Sequence, residues 1–212
     1  MNEIKHFYDV LLEKFGEQSW WPGETKFEII VGAVLTQNVS WSNVETAIQN
    51  LKDHDILSPT MILETDDEKL FKLIRPTGFY RQKTARLKRI SKLIKNENGV
   101  ENLFEDNNLR EILLNIKGVG PETADSIMLY AAERPSFVVD AYTFRVLDRL
   151  YNIHGSYDEI KELFESTFNK DLSKLQDIHA LIVELGKNYC SKNDPLCDTC
   201  PLSCHCKYAI GK

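Results

Sequence analysis

The chain has 212 residues, 42% of them hydrophobic, and a formal net charge of −6 at neutral pH, so it is long enough to bury a core and intrinsic disorder is not expected. Its longest apolar runs, such as residues 29–35 and 127–132, fall well short of a membrane span, and no basic-then-apolar export signal opens the sequence; this excludes membrane proteins and predicts a cytoplasmic one. The acidic balance is unfavourable for a nucleic-acid binder, whose phosphate contacts need Lys or Arg, unless the basic residues are gathered locally.

Apolar residues recur at helical spacing almost throughout, first in Phe7, Val10, Leu11 and Phe15 and later in Leu87, Ile90, Leu93 and Ile94, which predicts an all-α fold. Breakers at Pro22-Gly23, Ser58-Pro59, Pro76-Thr77-Gly78, Asn98-Gly99, Arg134-Pro135, Gly155-Ser156 and Asp194-Pro195 leave room between them for helices of ordinary length. There is no long Pro/Ser/Gly linker, low-complexity segment or fixed-period repeat, so the chain reads as one compact unit. Residues 75–95 hold Arg75, Arg81, Lys83, Arg86, Lys88, Arg89, Lys92 and Lys95 without an acidic residue. Charge alone fits either a basic face for a polyanion or a solvated helix surface.

Further along, residues 109–115 predict a short helix, Ile116-Lys117-Gly118-Val119-Gly120 a tight turn, and residues 121–132 a second helix opened by Pro121. This is a helix-hairpin-helix pattern. Its glycines would let backbone approach a phosphate and its helix-start amides would donate to it, although a plain connecting turn has the same signature. The apolar Phe137-Val138-Val139 then leads into Asp140 and a helical stretch beginning at Ala141. Asp140 stands at an N-cap position, a common structural device. The same position would keep its carboxylate ionised and able to stabilise positive charge or activate water.

Four of the five cysteines, Cys190, Cys197, Cys200 and Cys206, form C-x6-C-x2-C-x5-C, with Cys204 as the spare thiol. Disulfides fit poorly with a cytosolic chain, so the crowding suggests a metal, and spacing by itself leaves zinc and an iron–sulfur cluster both open. Pro195 and Pro201 bracket the central pair, as suits a loop wrapped around a cluster.

Residues 116–124, then Val138-Val139-Asp140 with Phe144-Arg145-Val146, then the four-cysteine loop resemble endonuclease III and its helix-hairpin-helix glycosylase relatives in order and spacing. The resemblance reaches back to the F-E-I-I-V-G-A-V-L-T-Q-N run at residues 27–38. It implies two helical domains with a DNA-binding cleft between them: residues 23–134 as a helical barrel carrying the hairpin, and residues 1–22 with 135–212 as a terminal domain carrying a [4Fe–4S] cluster on the four cysteines. It also implies Asp140 as the catalytic aspartate, Gln37 as the residue that fills the gap left by a flipped base, and Lys117, Gly118, Val119 and Gly120 as the backbone grip on double-stranded DNA. The partner implied is duplex DNA containing a damaged base, met by a monomer without a membrane, and the reaction is removal of that base after it leaves the stack.

One departure has chemical consequences. Two residues after the hairpin's last glycine, where bifunctional members have a lysine that attacks the sugar, this chain has Glu122, and a carboxylate cannot form the imine. The resemblance therefore implies a monofunctional enzyme that uses water. Within the superfamily the chain is most similar to the 3-methyladenine DNA glycosylases, through Trp20-Trp21-Pro22, through Leu35 to Asn38 followed by Trp41, through the R-P-x-G-F-Y-x-Q-K pattern at residues 75–83, and through Glu122 and Asp125 in the hairpin. Trp21 and Trp41 are then candidate walls of a base pocket, since a cationic alkylated purine is attracted to a π face, while single tryptophans are also ordinary core residues. Tyr80, Arg81 and Lys83 are candidates for holding the backbone or shaping that pocket. Two other glycosylase substrates, mismatched thymine or uracil and oxidised pyrimidines, are alternatives, as are a non-catalytic redox-sensing iron–sulfur DNA-binding protein and a helical protein with a structural zinc.

Overall fold

The computed structural model describes residues 2–18, 21, 23–37 and 39–211, and among these the regular elements are all helical, as the apolar periodicity predicts. Trp20, Pro22 and Asn38, which carry parts of the W-W-P and L-T-Q-N patterns, lie outside the described residues. The chain forms two compact units, one from residues 21–132 and one from residues 1–20 with 133–212.

Helix α1 (Asn2–Phe15) belongs to the second of these units and turns Ile4, Phe7 and Leu11 inward. The chain then builds the other unit. Helix α2 (Lys26–Leu35) is buried on nearly every side, as its run of Ile30, Val31, Ala33, Val34 and Leu35 requires. Thr25 caps it by accepting the Glu28 amide at 3.1 Å. Around it lie α3 (Trp41–Lys52), α4 (Pro59–Glu64), α5 (Asp67–Leu73), α6 (Tyr80–Asn96), α7 (Val100–Glu105), α8 (Leu109–Leu114) and α9 (Pro121–Ser126). One core gathers Phe27, Val44, Leu51, Ile62, Leu87, Ile90, Leu113, Val119 and Ile127 from these elements. The second hairpin helix does not run regularly to residue 132: after Ser126 it widens into a π-helical turn, Ile127–Ala131, closed by the Ala132 amide on the Ile127 carbonyl at 2.9 Å.

The returning chain completes the unit that holds α1 with α10 (Ala141–Tyr151), α11 (Tyr157–Thr167), α12 (Leu172–Asn188) and α13 (Lys207–Ile210). Ser156 and Glu159 form a reciprocal capping box on α11, and Asp171 caps α12 through the Lys174 amide. Helix α12 lies very close to α10 at Gly186, where a Cβ would come within 2.3 Å of the Tyr142 ring. Among the described residues no helix is long and apolar enough to cross a membrane.

The basic stretch of α6 is not uniformly a surface. Lys83 is 1% exposed, and its ammonium donates to the carbonyl oxygens of Thr77, Leu35 and Gln37 at 2.6, 2.9 and 3.0 Å. All three of its N–H donors are thereby used. Lys88 is engaged by the Asp67 carboxylate and the Thr65 carbonyl. Arg81, Arg89, Lys92 and Lys95 are exposed. Lys83 counts among the charges of the basic stretch and as a candidate for holding the DNA backbone or shaping the pocket; its three carbonyl acceptors place it inside instead. Burial, with the neighbouring Arg86 charge, pushes the Lys83 pKa down to about 8, which still leaves it protonated at neutral pH. Lys83→Met strands three carbonyls, so it is expected to lower unfolding free energy by roughly 2–3 kcal/mol, to be measured by urea denaturation.

Candidate active site and nucleic-acid interface

In the unit of residues 21–132, the hairpin predicted from I-K-G-V-G-P is present: α8 ends at Asn115, the Val119 amide closes the turn on the Ile116 carbonyl at 2.9 Å, and α9 opens at Pro121. Val119 is buried and roots the turn in the core, while Lys117 and Gly118 are exposed at its tip. Gly118 has φ +95°, in the left-handed region, and a Cβ there would lie 2.5 Å from Arg86 Nε. The position therefore disfavours a side chain by its conformation, and a Cβ there would also displace the Arg86 side chain. A half-buried, bidentate ion pair clamps the hairpin's two helices together: Arg110 donates to the two oxygens of the buried Asp125 at 2.8 and 3.0 Å. Arg89 donates to the Lys117 carbonyl at 3.0 Å.

Gln37 stands just beyond α2 and is tied to this hairpin. Its amide nitrogen donates to Thr123 Oγ1 at 2.6 Å, and its amide oxygen accepts from Arg86. Its backbone carbonyl is one of the three that hold Lys83. The structure thus joins Gln37, the hairpin turn and α6 in one hydrogen-bonded group.

Trp21 and Trp41 also meet, but edge to face, with ring centroids 5.5 Å apart and planes at 80°. The rings are not parallel walls with room for a base between them. One face of Trp21 lies toward Tyr130, in the π-helical turn, at 4.9 Å, and the indole also lies over Gly32. Trp41 lines an open cavity of about 490 Å³ with Gly23, Glu24, Glu28 and Glu45, and its indole N–H donates to Glu45 at 2.8 Å. Lys52 pairs with Glu28 at 2.9 Å in the same cavity.

In the other unit, Asp140 is the N-cap of α10, as its position after an apolar segment predicts. Its Oδ1 accepts from the Thr143 amide at 2.7 Å and from the Thr143 hydroxyl at 2.9 Å, and His179 Nε2 of α12 lies 3.7 Å from Oδ2. Burial pushes the Asp140 carboxyl up, but His179 and the two Thr143 donors outweigh it and hold the group below the usual carboxylate range.

Cys190, Cys197, Cys200 and Cys206 line one small cavity together with Arg149 and Tyr208, whereas Cys204 is exposed and outside it. Burial pushes the Cys200 thiol up, the Leu202 backbone draws it down, and the charges of the other three cysteines push it up again. Four soft donors that repel one another as thiolates are a set that a bound cation relieves, so the residues fit a metal cluster. The thiols are not drawn together as a finished coordination sphere: among the described residues, no three His, Cys, Asp or Glu side chains stand ready to hold a metal ion.

Sequence patterns alone missed three contributors. Phe79 is 64% exposed with φ +44°; an aromatic beside a helical run reads as core, and only its place directly after Gly78 hints otherwise. Arg86 was countable as charge but not as the partner of Gln37. His179 sits in an apolar helix face, where a histidine gives no signal.

The comparisons agree with this architecture. The pattern described as HhH-GPD superfamily base excision DNA repair protein matches residues 31–170. The "Putative DNA repair glycosylase MJ1434" of Methanocaldococcus jannaschii is 50% identical over 210 residues, covering 96% of this chain and 95% of that protein. Endonuclease III of Thermotoga maritima is 29% identical over 86% of this chain and 83% of its own. Among solved structures, Helicobacter pylori 3-methyladenine DNA glycosylase bound to 1,N6-ethenoadenine is 33% identical with a TM-score of 0.76, covering 87% of this chain and 96% of that one. A non-covalent endonuclease III–DNA complex shares the fold, with a TM-score of 0.85 at 23% identity, over 99% of this chain and 96% of that one. The chain belongs to the HhH-GPD superfamily of base excision DNA repair proteins. It is a DNA glycosylase of that superfamily.

Gly118→Ala is expected to push Arg86 off the turn and break its bond to Gln37. A loss of about 1–3 kcal/mol from the strained backbone, seen as a lower denaturation midpoint with an unchanged slope, is the expected outcome.

Proposed function

We propose that the chain is a monofunctional glycosylase that removes alkylated purines such as 3-methyladenine from duplex DNA. The observation that carries this is that a chain with an ionised, capped Asp140 has an exposed glutamate, Glu122, at the hairpin position where an amine would attack the sugar. Asp140 remains a carboxylate at neutral pH, so it can stabilise positive charge on the deoxyribose as the glycosidic bond lengthens. The bonding electrons pass to the purine and neutralise its positive charge. Water adds at the sugar carbon, and its proton passes to Asp140 or to solvent. Without an amine at position 122 no imine forms, and the strand stays intact.

Substrate preference rests on the aromatic and acidic cavity. Trp41 lines the cavity with Glu24, Glu28 and Glu45, and although Lys52 pairs with Glu24 and Glu28 the carboxylates outnumber it, a combination that favours a cationic base over a neutral one. Trp21 meets Trp41 edge to face instead of forming a second parallel wall. The likeness to the H. pylori 3-methyladenine glycosylase points the same way.

The hairpin residues Lys117, Gly118, Val119 and Gly120 grip DNA phosphate, with Arg89 beside them. Gln37 and Phe79 enter the duplex, Gln37 to fill the place of the flipped base and Phe79 as an exposed apolar wedge between base steps. Phe79→Ala is expected to slow base release on the order of 10-fold or more, since the unstacking it assists costs a few kcal/mol, while the free protein's melting temperature stays unchanged. Cys190, Cys197, Cys200 and Cys206 would hold a [4Fe–4S] cluster. When bound, the cluster supplies a cross-link that orders the C-terminal loop, because binding to a folded ligand set is folding free energy.

The decisive experiment incubates the iron-loaded protein with duplex DNA carrying labelled methyl adducts. Free 3-methyladenine is expected from the wild type without strand breakage before alkali and without borohydride trapping. Asp140→Asn is expected to lose roughly 10²-fold or more in rate. Release of thymine from a T·G duplex with no release of methylated purine would instead identify a mismatch glycosylase. Purified protein is expected to be brown, with iron and acid-labile sulfide in equal amounts; a colourless zinc protein would overturn the cluster assignment.

A further inference from the structure

We infer that His179 is the positioning residue of the glycosylase reaction, acting only through Asp140. The inference rests on the reading of Asp140 as the catalytic carboxylate and adds what holds it.

Asp140 is a poor candidate for self-orientation. It is a short side chain with two equivalent oxygens, and rotation about its last bond would exchange them. Thr143 takes one oxygen, donating to Oδ1 through both its amide and its hydroxyl. That leaves Oδ2 as the edge whose direction decides what the carboxylate can do. The group facing Oδ2 is His179 Nε2 at 3.7 Å. The ring is 4% exposed and is itself oriented by an edge contact to Phe137, with centroids 6.2 Å apart. Phe137 in turn stacks on Phe164 at 4.0 Å.

The location of the ring is costly for a residue without a task. His179 lies on α12 between Ile178 and Ala180, in a run whose other members include Leu175, Leu181 and Ile182, all buried. A leucine of similar size would fill that space and need no polar partner. The close approach of α12 to α10 at Gly186 brings the imidazole to the cap of α10. The groups acting on the Asp140 carboxyl are His179 from α12 and Thr143 from α10 itself. Thr143 holds one oxygen by two hydrogen bonds, and His179 faces the other at 3.7 Å, so the imidazole biases the plane of a carboxylate that stays charged inside a buried surrounding.

Two substitutions separate a positioning role from packing. His179→Leu keeps the volume and removes the nitrogen; His179→Gln keeps a donor. Single-turnover base release from methylated duplex DNA is expected to fall roughly 10-fold to 100-fold in His179→Leu, since small misplacements of a reacting group cost about that much. DNA affinity should stay unchanged, and His179→Gln should recover part of the rate. In an Asp140→Asn background, His179→Leu should slow the reaction no further. Independently of any substrate, the Asp140 carboxyl carbon followed by NMR should titrate at higher pH in His179→Leu, because burial then acts with one opposing partner fewer.

An inactive Asp140→Asn beside a His179→Leu of wild-type rate and unshifted Asp140 titration would overturn the inference and leave Asp140 catalytic. A fully active Asp140→Asn would remove the catalytic reading of Asp140, and the inference with it. Equal slowing by His179→Leu in both backgrounds would assign the histidine a role of its own and overturn the claim that it works through Asp140.

Discussion

A single buried ammonium organises the unit of residues 21–132. Helix α2 ends in carbonyls with no partner inside the helix, and its own last turn contains no basic residue. Lys83, from α6, takes the Leu35 carbonyl, and with the same nitrogen takes the carbonyls of Gln37 and Thr77. One charge therefore neutralises a helix C-terminus, fixes the turn that carries Gln37, and fixes the turn from which Phe79 projects. An amide or hydroxyl could not do this, because neither carries three donors on one atom. The polar residues grouped around the hairpin can be placed closely because their backbones are already held.

That group also bears on the mismatch between an acidic chain and a polyanionic ligand. Lys83 is buried and cannot contact a phosphate, and Lys88 is offset by Asp67. The exposed Arg81, Arg89, Lys92 and Lys95 on α6 remain, with Arg89 bound to the hairpin carbonyl of Lys117. A hairpin that offers backbone amides and exposed glycine needs few cations, so a net charge of −6 is compatible with DNA binding if affinity is concentrated at the turn. Electrostatic steering over long range would then be weak and easily screened.

Much of this was legible in the sequence, and the reasons differ from element to element. Helix-hairpin-helix geometry follows from local rules: Gly118 needs its φ, Pro121 opens a helix, and Val119 must be buried. The Asp140 cap follows from an aspartate placed between an apolar strand-like segment and a helix. Grouping of four cysteines around one cavity, with Cys204 excluded, follows from their spacing. Contacts between residues far apart in sequence were not legible. Helical spacing puts Lys83 on the face of Leu87, Ile90 and Ile94, but the carbonyls that let an ammonium be buried there come from two distant turns that no local pattern shows. The angle between Trp21 and Trp41 depends on Gly32 and Tyr130, and the π-helical turn that carries Tyr130 has no simple sequence mark.

On the proposed reading, with an alkylated purine as substrate, the chemistry asked of Asp140 is smaller than a catalytic aspartate could be asked to perform, and this would account for several features at once. A purine already carrying a positive charge leaves as a neutral base, so the barrier to be lowered is that of a weakened bond. An enzyme for such a base has no use for a strong nucleophile, and Glu122 in the hairpin is tolerable. What it does need is discrimination, because the normal purines far outnumber the damaged ones and differ from them chiefly in charge. Charge is what an aromatic ring beside carboxylates senses, and Trp41 stands beside Glu24, Glu28 and Glu45 with Lys52 among them. The proposed division of labour, selection at the aromatic cavity and a held, ionised carboxylate for the remaining barrier, asks of each unit of the chain only what its own buried contacts support.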